Sequence, residues 1–134
     1  MSDHTILLQN SELKATFQRI NILENIAKFG HISIDDIYVE VIKIHPSLSL
    51  ATVYKNIVLM IEKGILVEVP ITGQKSKYEI KKENHIHLIC NKCREVVDKP
   101  YSTITDDIFS NFTKEDNFSI LKKQINLYGI CSSC

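Results

Sequence analysis

Three features of this 134-residue sequence predict an α+β chain in two parts. Apolar residues recur at helical spacing through residues 4–63 and then alternate on either side of Thr72-Gly73-Gln74-Lys75, the pattern of helices followed by a hairpin. A short polar stretch, Lys81-Lys82-Glu83-Asn84, then interrupts the apolar pattern. Beyond it, two CxxC pairs, Cys90/Cys93 and Cys131/Cys134, bracket segments that read strand, strand, helix, strand. The expected organisation is a first domain at 1–80, a hinge at 81–84 and a second domain at 85–134.

In chain order, residues 4–13 read as a short helix. Thr16 is the expected N-cap of the next, which runs to about Lys28, buries Ile20, Leu23, Ile26 and Ala27, and stops at Gly30. Ser33 caps a third helix, with Asp35 and Asp36 at the positive end of its dipole, a stripe of Ile37, Tyr38, Val41 and Ile42, and Pro46 closing it. Ser47 or Ser49 starts the fourth, over residues 50–63, burying Leu50, Val53, Ile57 and Met60 or Ile61 and ending at Gly64. Thr52, Tyr54 and Lys55 remain outward near its N-terminal end. Strands are expected at 65–70 and 77–81. Helices closed by such a hairpin spell a winged helix-turn-helix, whose last helix offers its N-terminal side chains to a DNA major groove. Taken alone, Thr52, Tyr54 and Lys55 read equally well as a solvated helix face, while the wing lysines Lys75 and Lys77 read first as ordinary hairpin charges and only second as phosphate contacts.

Composition limits the classes. Apolar residues make up 44% of the chain, enough for a real core and too many for disorder. No apolar run approaches the roughly 20 residues of a membrane helix. Met1-Ser2-Asp3-His4 lacks the basic start of a signal peptide, so the expected compartment is the cytoplasm, where thiols stay reduced and paired CxxC motifs favour metal over disulfide. Sixteen basic residues balance sixteen acidic ones, and residues 1–80 alone carry eight against nine. A DNA role therefore rests on the motif and not on bulk charge.

The second domain is expected to hold strands at 85–90 and 95–98, a helix at 103–112 with Ile104, Ile108, Phe109 and Phe112 on one side, and a last strand at 120–128. A unit of about 50 residues has a marginal core. Four thiolates from Cys90, Cys93, Cys131 and Cys134 would close a tetrahedral, structural zinc(II) site across the 37 residues that separate the pairs, clamping the first strand to the last. On the first strand His85 and His87 share a face, opposite Ile86, Leu88 and Cys90. With Asp98 on the paired strand, and His31 and Glu79 from the first domain, they compose a second cation site suited to Fe(II), Mn(II) or Zn(II). Such a cation would fix the angle between domains.

These residues resemble the ferric uptake regulator (Fur) family of bacterial metal-dependent transcription factors. The resemblance is carried by Leu13-Lys14-Ala15-Thr16-Phe17-Gln18-Arg19, Gly30-His31 with Asp35-Asp36-Ile37-Tyr38, Leu50-Ala51-Thr52-Val53-Tyr54-Lys55-Asn56, His85-x-His87-x-x-Cys90-x-x-Cys93 and the closing CxxC. It implies a homodimer joined through the second domains, with two winged helices reading a palindromic operator on double-stranded DNA. Tyr54 would touch bases, with Arg19 and Lys55 on phosphates. Metal at His31, Glu79, His85, His87 and Asp98 would set the repressing shape. Phe17 stands where Pro is usual, and Ile86 replaces an acidic residue common between the histidines, so the additional site of iron-sensing members is not expected. Asp98 resembles the peroxide-sensing (PerR) branch, whereas Glu79 resembles the iron-sensing one. The peroxide reading implies that bound Fe(II) reacts with peroxide and a coordinating histidine, His31 or His85, is oxidised; Mn(II) would repress without responding. The alternatives within the family are iron- and zinc-uptake repressors. Outside it stand a zinc hydrolase, a thiol oxidoreductase, or a zinc-stabilised interaction module.

Overall fold

The computed structural model describes residues 3–134, the side chains of residues 103–105 excepted. The chain forms two compact units, residues 1–81 and residues 82–134. Lys81 belongs with the first, because its N–H donates to the Ile65 carbonyl at 2.8 Å.

The N-terminal unit contains α1 (Asp3–Asn10), α2 (Phe17–Phe29), β1 (Ile32–Ser33), α3 (Ile34–Val41), α4 (Leu50–Glu62), β2 (Leu66–Val69) and β3 (Lys77–Ile80). Three helices start on side-chain caps. Thr16 accepts from the Arg19 N–H, Ser33 from that of Asp36 and Ser49 from that of Thr52. Each satisfies an N–H that the helix itself cannot, an effect of about 1 kcal/mol. Gly30 ends α2 at φ 79°, a left-handed turn open to glycine at little cost, and its N–H bonds Ile26 O at 2.8 Å.

The core is made of Leu8, Ile22, Leu23, Ile26, Ile37, Val41, Val53, Ile57, Met60 and Ile65, all at most 1% exposed. Two expectations need correction. The α2 stripe is turned by one position, so that Ile22 is buried while Ala27 is exposed and Ile20 is only partly covered. Leu50 is 40% exposed, because it occupies the open first turn of α4 ahead of the packed residues.

Strand β1 escaped the sequence reading; two residues are too few to show alternation. It pairs antiparallel with β3, giving a three-stranded sheet in the order β1-β3-β2. Ile32 faces Tyr78 and Ser33 faces Lys77, so the next step of that register sets His31 opposite Glu79.

The C-terminal unit contains β4 (His85–Cys90), β5 (Val96–Pro100), α5 (Thr103–Lys114) and β6 (Ile125–Gly129), with sheet order β5-β4-β6. β5 runs antiparallel to β4 and β6 parallel to it. The last strand starts at Ile125, not at 120, since β4 supplies ladder partners only from Ile86 to Cys90. Along α5, Phe109 is partly covered, but Ile108 and Phe112 are 58% and 81% exposed, against the expected inward stripe. Ile104 lies outside the described side chains. Among the described residues of this unit only Ile89, Cys90 and His87 are buried.

Candidate metal centres

Cys90 ends β4, Cys93 lies in the turn after it, and Cys131 and Cys134 follow β6, which the parallel ladder lays beside β4. All four sulfurs lie within 4.8 Å of one another. Cys131 Sγ is 3.4 Å from Cys134 Sγ, Cys93 is 3.6 Å from Cys131, and Cys90 is 3.9 Å from Cys134. A disulfide needs about 2.05 Å, whereas thiolates at 2.3 Å around one tetrahedral ion stand about 3.8 Å apart. The spacing fits zinc and excludes bonded sulfurs in this arrangement.

The N–H groups of Cys93 and Cys131 point at Cys90 Sγ, each at 3.4 Å. They hold its thiol down at about 5, since a thiolate accepts such bonds better than a thiol does. Cys134 is pushed up to about 12, chiefly by its hydrogen bond with Cys131.

Alternation on β4 puts His85 and His87 on one face, and the antiparallel register sets Asp98 of β5 beside His87. His85 Nδ1 donates to the Glu83 carbonyl at 2.8 Å, and His87 Nδ1 donates to Asn126 Oδ1 at 2.9 Å. With the ring proton on Nδ1 in both, each Nε2 presents a lone pair. Those two Nε2 atoms stand 2.8 Å apart, with Asp98 Oδ1 3.5 Å from each. Two lone pairs and a carboxylate oxygen brought to one point repel unless a cation or proton lies among them. That is a donor set for a metal ion. Asp98 Oδ2 is turned away, paired with the Lys82 ammonium.

The N-terminal unit brings together the other two expected ligands. His31 Nε2 lies 2.8 Å from Glu79 Oε2, as the register requires. Glu79 is only 2% exposed, an unusual place for a carboxylate unless a cation compensates it.

On α4, Thr52, Tyr54 and Lys55 are all exposed near the capped N-terminus, as expected. Arg19 is hydrogen-bonded within the unit. Its Nε donates to Asn56 Oδ1 at 3.0 Å and its Nη1 to the Lys14 carbonyl at 2.9 Å, tying α2 to α4. Lys75 of the wing pairs with Asp35 at 3.0 Å.

Three supporting groups were missed in the sequence: Asn126, Lys82 and the Glu83 carbonyl. The latter two lie in a stretch legible only as a polar linker. Asn126 showed only as a polar position in an alternating strand, and its link to His87 needs the parallel register.

The model of the ferric uptake regulator family matches residues 10–128. The peroxide-responsive repressor PerR of Staphylococcus saprophyticus is 30% identical, over all of this chain and 90% of its own. The ferric uptake regulation protein of Vibrio parahaemolyticus is 32% identical, over 98% of this chain and 90% of its own. The crystal structure of the Campylobacter jejuni peroxide stress regulator superposes over the whole of both chains, with a TM-score of 0.79 at 34% identity. No helix among the described residues is long and apolar enough to cross a membrane. The chain belongs to the ferric uptake regulator family, whose members are transcriptional regulators that bind DNA as dimers.

Proposed function

We propose that this protein is a cytoplasmic, metal-dependent repressor of the peroxide-sensing kind, acting as a homodimer on a palindromic operator. Zn(II) at Cys90, Cys93, Cys131 and Cys134 is structural, because four thiolates leave no open coordination position. Fe(II) or Mn(II) is the regulatory ion, held by His31 and Glu79 from the N-terminal unit and by His85, His87 and Asp98 from the C-terminal one. The observation that carries this reading is the convergence of the His85 and His87 lone pairs with Asp98 Oδ1. Three donors are too few for Fe(II) or Mn(II), and the buried His31–Glu79 pair supplies the chemistry that is missing.

The chain between the units is well placed to respond. Residues 81–84 are the proposed hinge, and two of them engage proposed ligands, Lys82 through Asp98 and Glu83 through His85. Loss of a ligand is thereby felt at the joint. Bound Fe(II) would supply the electrons that split the peroxide O–O bond, with His31 or His85 as the side chain oxidised. Asp98 offers one oxygen to the histidines while Lys82 engages the other, which favours an incompletely filled site. Thr52, Tyr54 and Lys55 face the operator from α4. Arg19, bonded to Asn56, braces that helix and reaches phosphate from the same position. The exposed Ile108, Phe112, Leu121 and Leu127 support pairing of two copies through the C-terminal units.

The second reading is an iron-uptake repressor, favoured by Glu79 and by the 32% identity to the Vibrio parahaemolyticus protein. A band shift on a palindromic AT-rich duplex, with Mn(II) or Fe(II) and a peroxide titration, separates the two. The peroxide reading expects the Fe(II) complex to release DNA on peroxide and the Mn(II) complex to hold it. Asp98→Glu, offering a longer carboxylate able to use both oxygens, should keep metal-dependent binding and blunt the peroxide response. An equal response in the two proteins removes the basis for the assignment.

A further inference from the structure

We propose that Asn126 is a positioning residue for the regulatory ion, a role that rests on the metal-site reading above. In the three-stranded sheet, Asp98, His87 and Asn126 occupy matching register positions on β5, β4 and β6 and so form a row across it. One end of the row is a carboxylate, the middle an imidazole and the other end a neutral amide. His87 is 2% exposed, so its Nδ1–H has no recourse to bulk water, and Asn126 Oδ1 takes it at 2.9 Å. Turning the ring would strand that proton in a buried setting, which costs more than an ordinary hydrogen bond returns. The amide therefore fixes two things at once: the tautomer that leaves Nε2 bare, and the ring angle that aims Nε2 at Asp98 Oδ1. It does so without adding charge, so the negative charge of the site comes from its carboxylate ligands alone.

The placement of Asn126 depends on the sulfur cluster. Past Asn126 the chain leaves β6 at Gly129 and reaches Cys131, whose N–H points at Cys90 Sγ, and the Asn91 N–H bonds the Gly129 carbonyl at 2.8 Å. The end of β4 and the end of β6 are joined there. Holding that junction holds the ladder that sets Asn126 beside His87.

The test uses the full-length, zinc-loaded dimer, with free Mn(II) followed by electron paramagnetic resonance and with the d–d bands of added Co(II). Asn126→Leu keeps the size and removes the acceptor; Asn126→Asp keeps the acceptor and strengthens it. Outer partners of ligating histidines contribute about 10- to 100-fold to metal affinity. Asn126→Leu should weaken Mn(II) binding by that factor and reshape the Co(II) bands while zinc content stays at one per chain. Asn126→Asp should recover the affinity. Wild-type affinity and unchanged Co(II) bands in Asn126→Leu overturn the proposal. So does an Asn126→Asp protein as weak as Asn126→Leu, which would mean that packing and not the acceptor is at stake. A wild-type protein that takes up no Mn(II) overturns the metal-site reading itself, and this role with it.

Discussion

The N-terminal unit buries Ile22, Leu23, Ile26, Ile37, Val53, Ile57 and Met60 completely, whereas among the described residues of the C-terminal unit only Ile89, Cys90 and His87 are buried. Two of those three are proposed metal ligands. The first unit also has three side-chain helix caps. The second has a sheet whose central strand ends at a cysteine cluster, and it exposes Leu127 on β6, Ile130 just after it and Phe112 on α5. One unit is stabilised by excluded water; the other, on the function proposed above, by coordination and by pairing with a second copy. On the proposed function that division suits a regulator, since the DNA-facing unit keeps its fold while ions are gained and lost.

The largest expected effect comes from removing zinc. A structural zinc site contributes about 10 kcal/mol or more to a small domain. Stripping zinc with a chelator, or Cys93→Ser, should therefore unfold residues 82–134 and leave 1–81 folded, as read by amide exchange. Simultaneous loss of both units would break the comparison. The same difference predicts acid sensitivity of the C-terminal unit, because protons compete with zinc for thiolates.

Ile57→Ala should act in the opposite place. A buried isoleucine truncated to alanine costs about 2–5 kcal/mol, here from the N-terminal unit, and zinc should remain bound. Zinc release by this variant would mean that the two units do not fail independently.

A smaller effect concerns alkali. Burial pushes the Tyr78 phenol up to about 12, with the Glu68 carboxylate adding to the shift. Its folded pKa lies above its unfolded value of 10.0, so this contribution to stability is complete below 10 and is lost as the pH rises towards 12. Denaturation of the N-terminal unit at pH 9 and 11.5 should show that loss, and Tyr78→Phe should shrink it. Equal alkaline loss in both proteins would place the sensitive group elsewhere.

How much of this was legible in the sequence follows from the same contrast. Thr16, Ser33 and Ser49 were readable as caps because a cap is a local event, settled within four residues. The CxxC pairs were readable because two sulfurs three positions apart reach one ion whatever the fold around them. The α2 stripe was misplaced by one position, because a helix with apolar residues at 20, 22, 23, 26 and 27 leaves its facing direction to its neighbours. The last strand is shorter than its alternation suggests, since its extent is set by β4, a partner 39 residues away. The exposed face of α5 carries a helical stripe as clear as any in the first unit, and a sequence pattern does not say whether the covering surface belongs to the same chain. Asn126 and Lys82 lay beyond reach for a related reason: their chemistry is ordinary until register and side-chain direction set them against His87 and Asp98.

The central claim is that one cation takes ligands from both units. Electron–nuclear resonance on Mn(II) bound to the zinc-loaded protein, with histidine nitrogens isotopically labelled, counts the imidazoles on the ion directly. The account predicts three, falling to two in His31→Gln and to two in His87→Gln. A count of two that is unchanged by His31→Gln would contradict it, confining the ion to the C-terminal unit and leaving the reading head without a metal link.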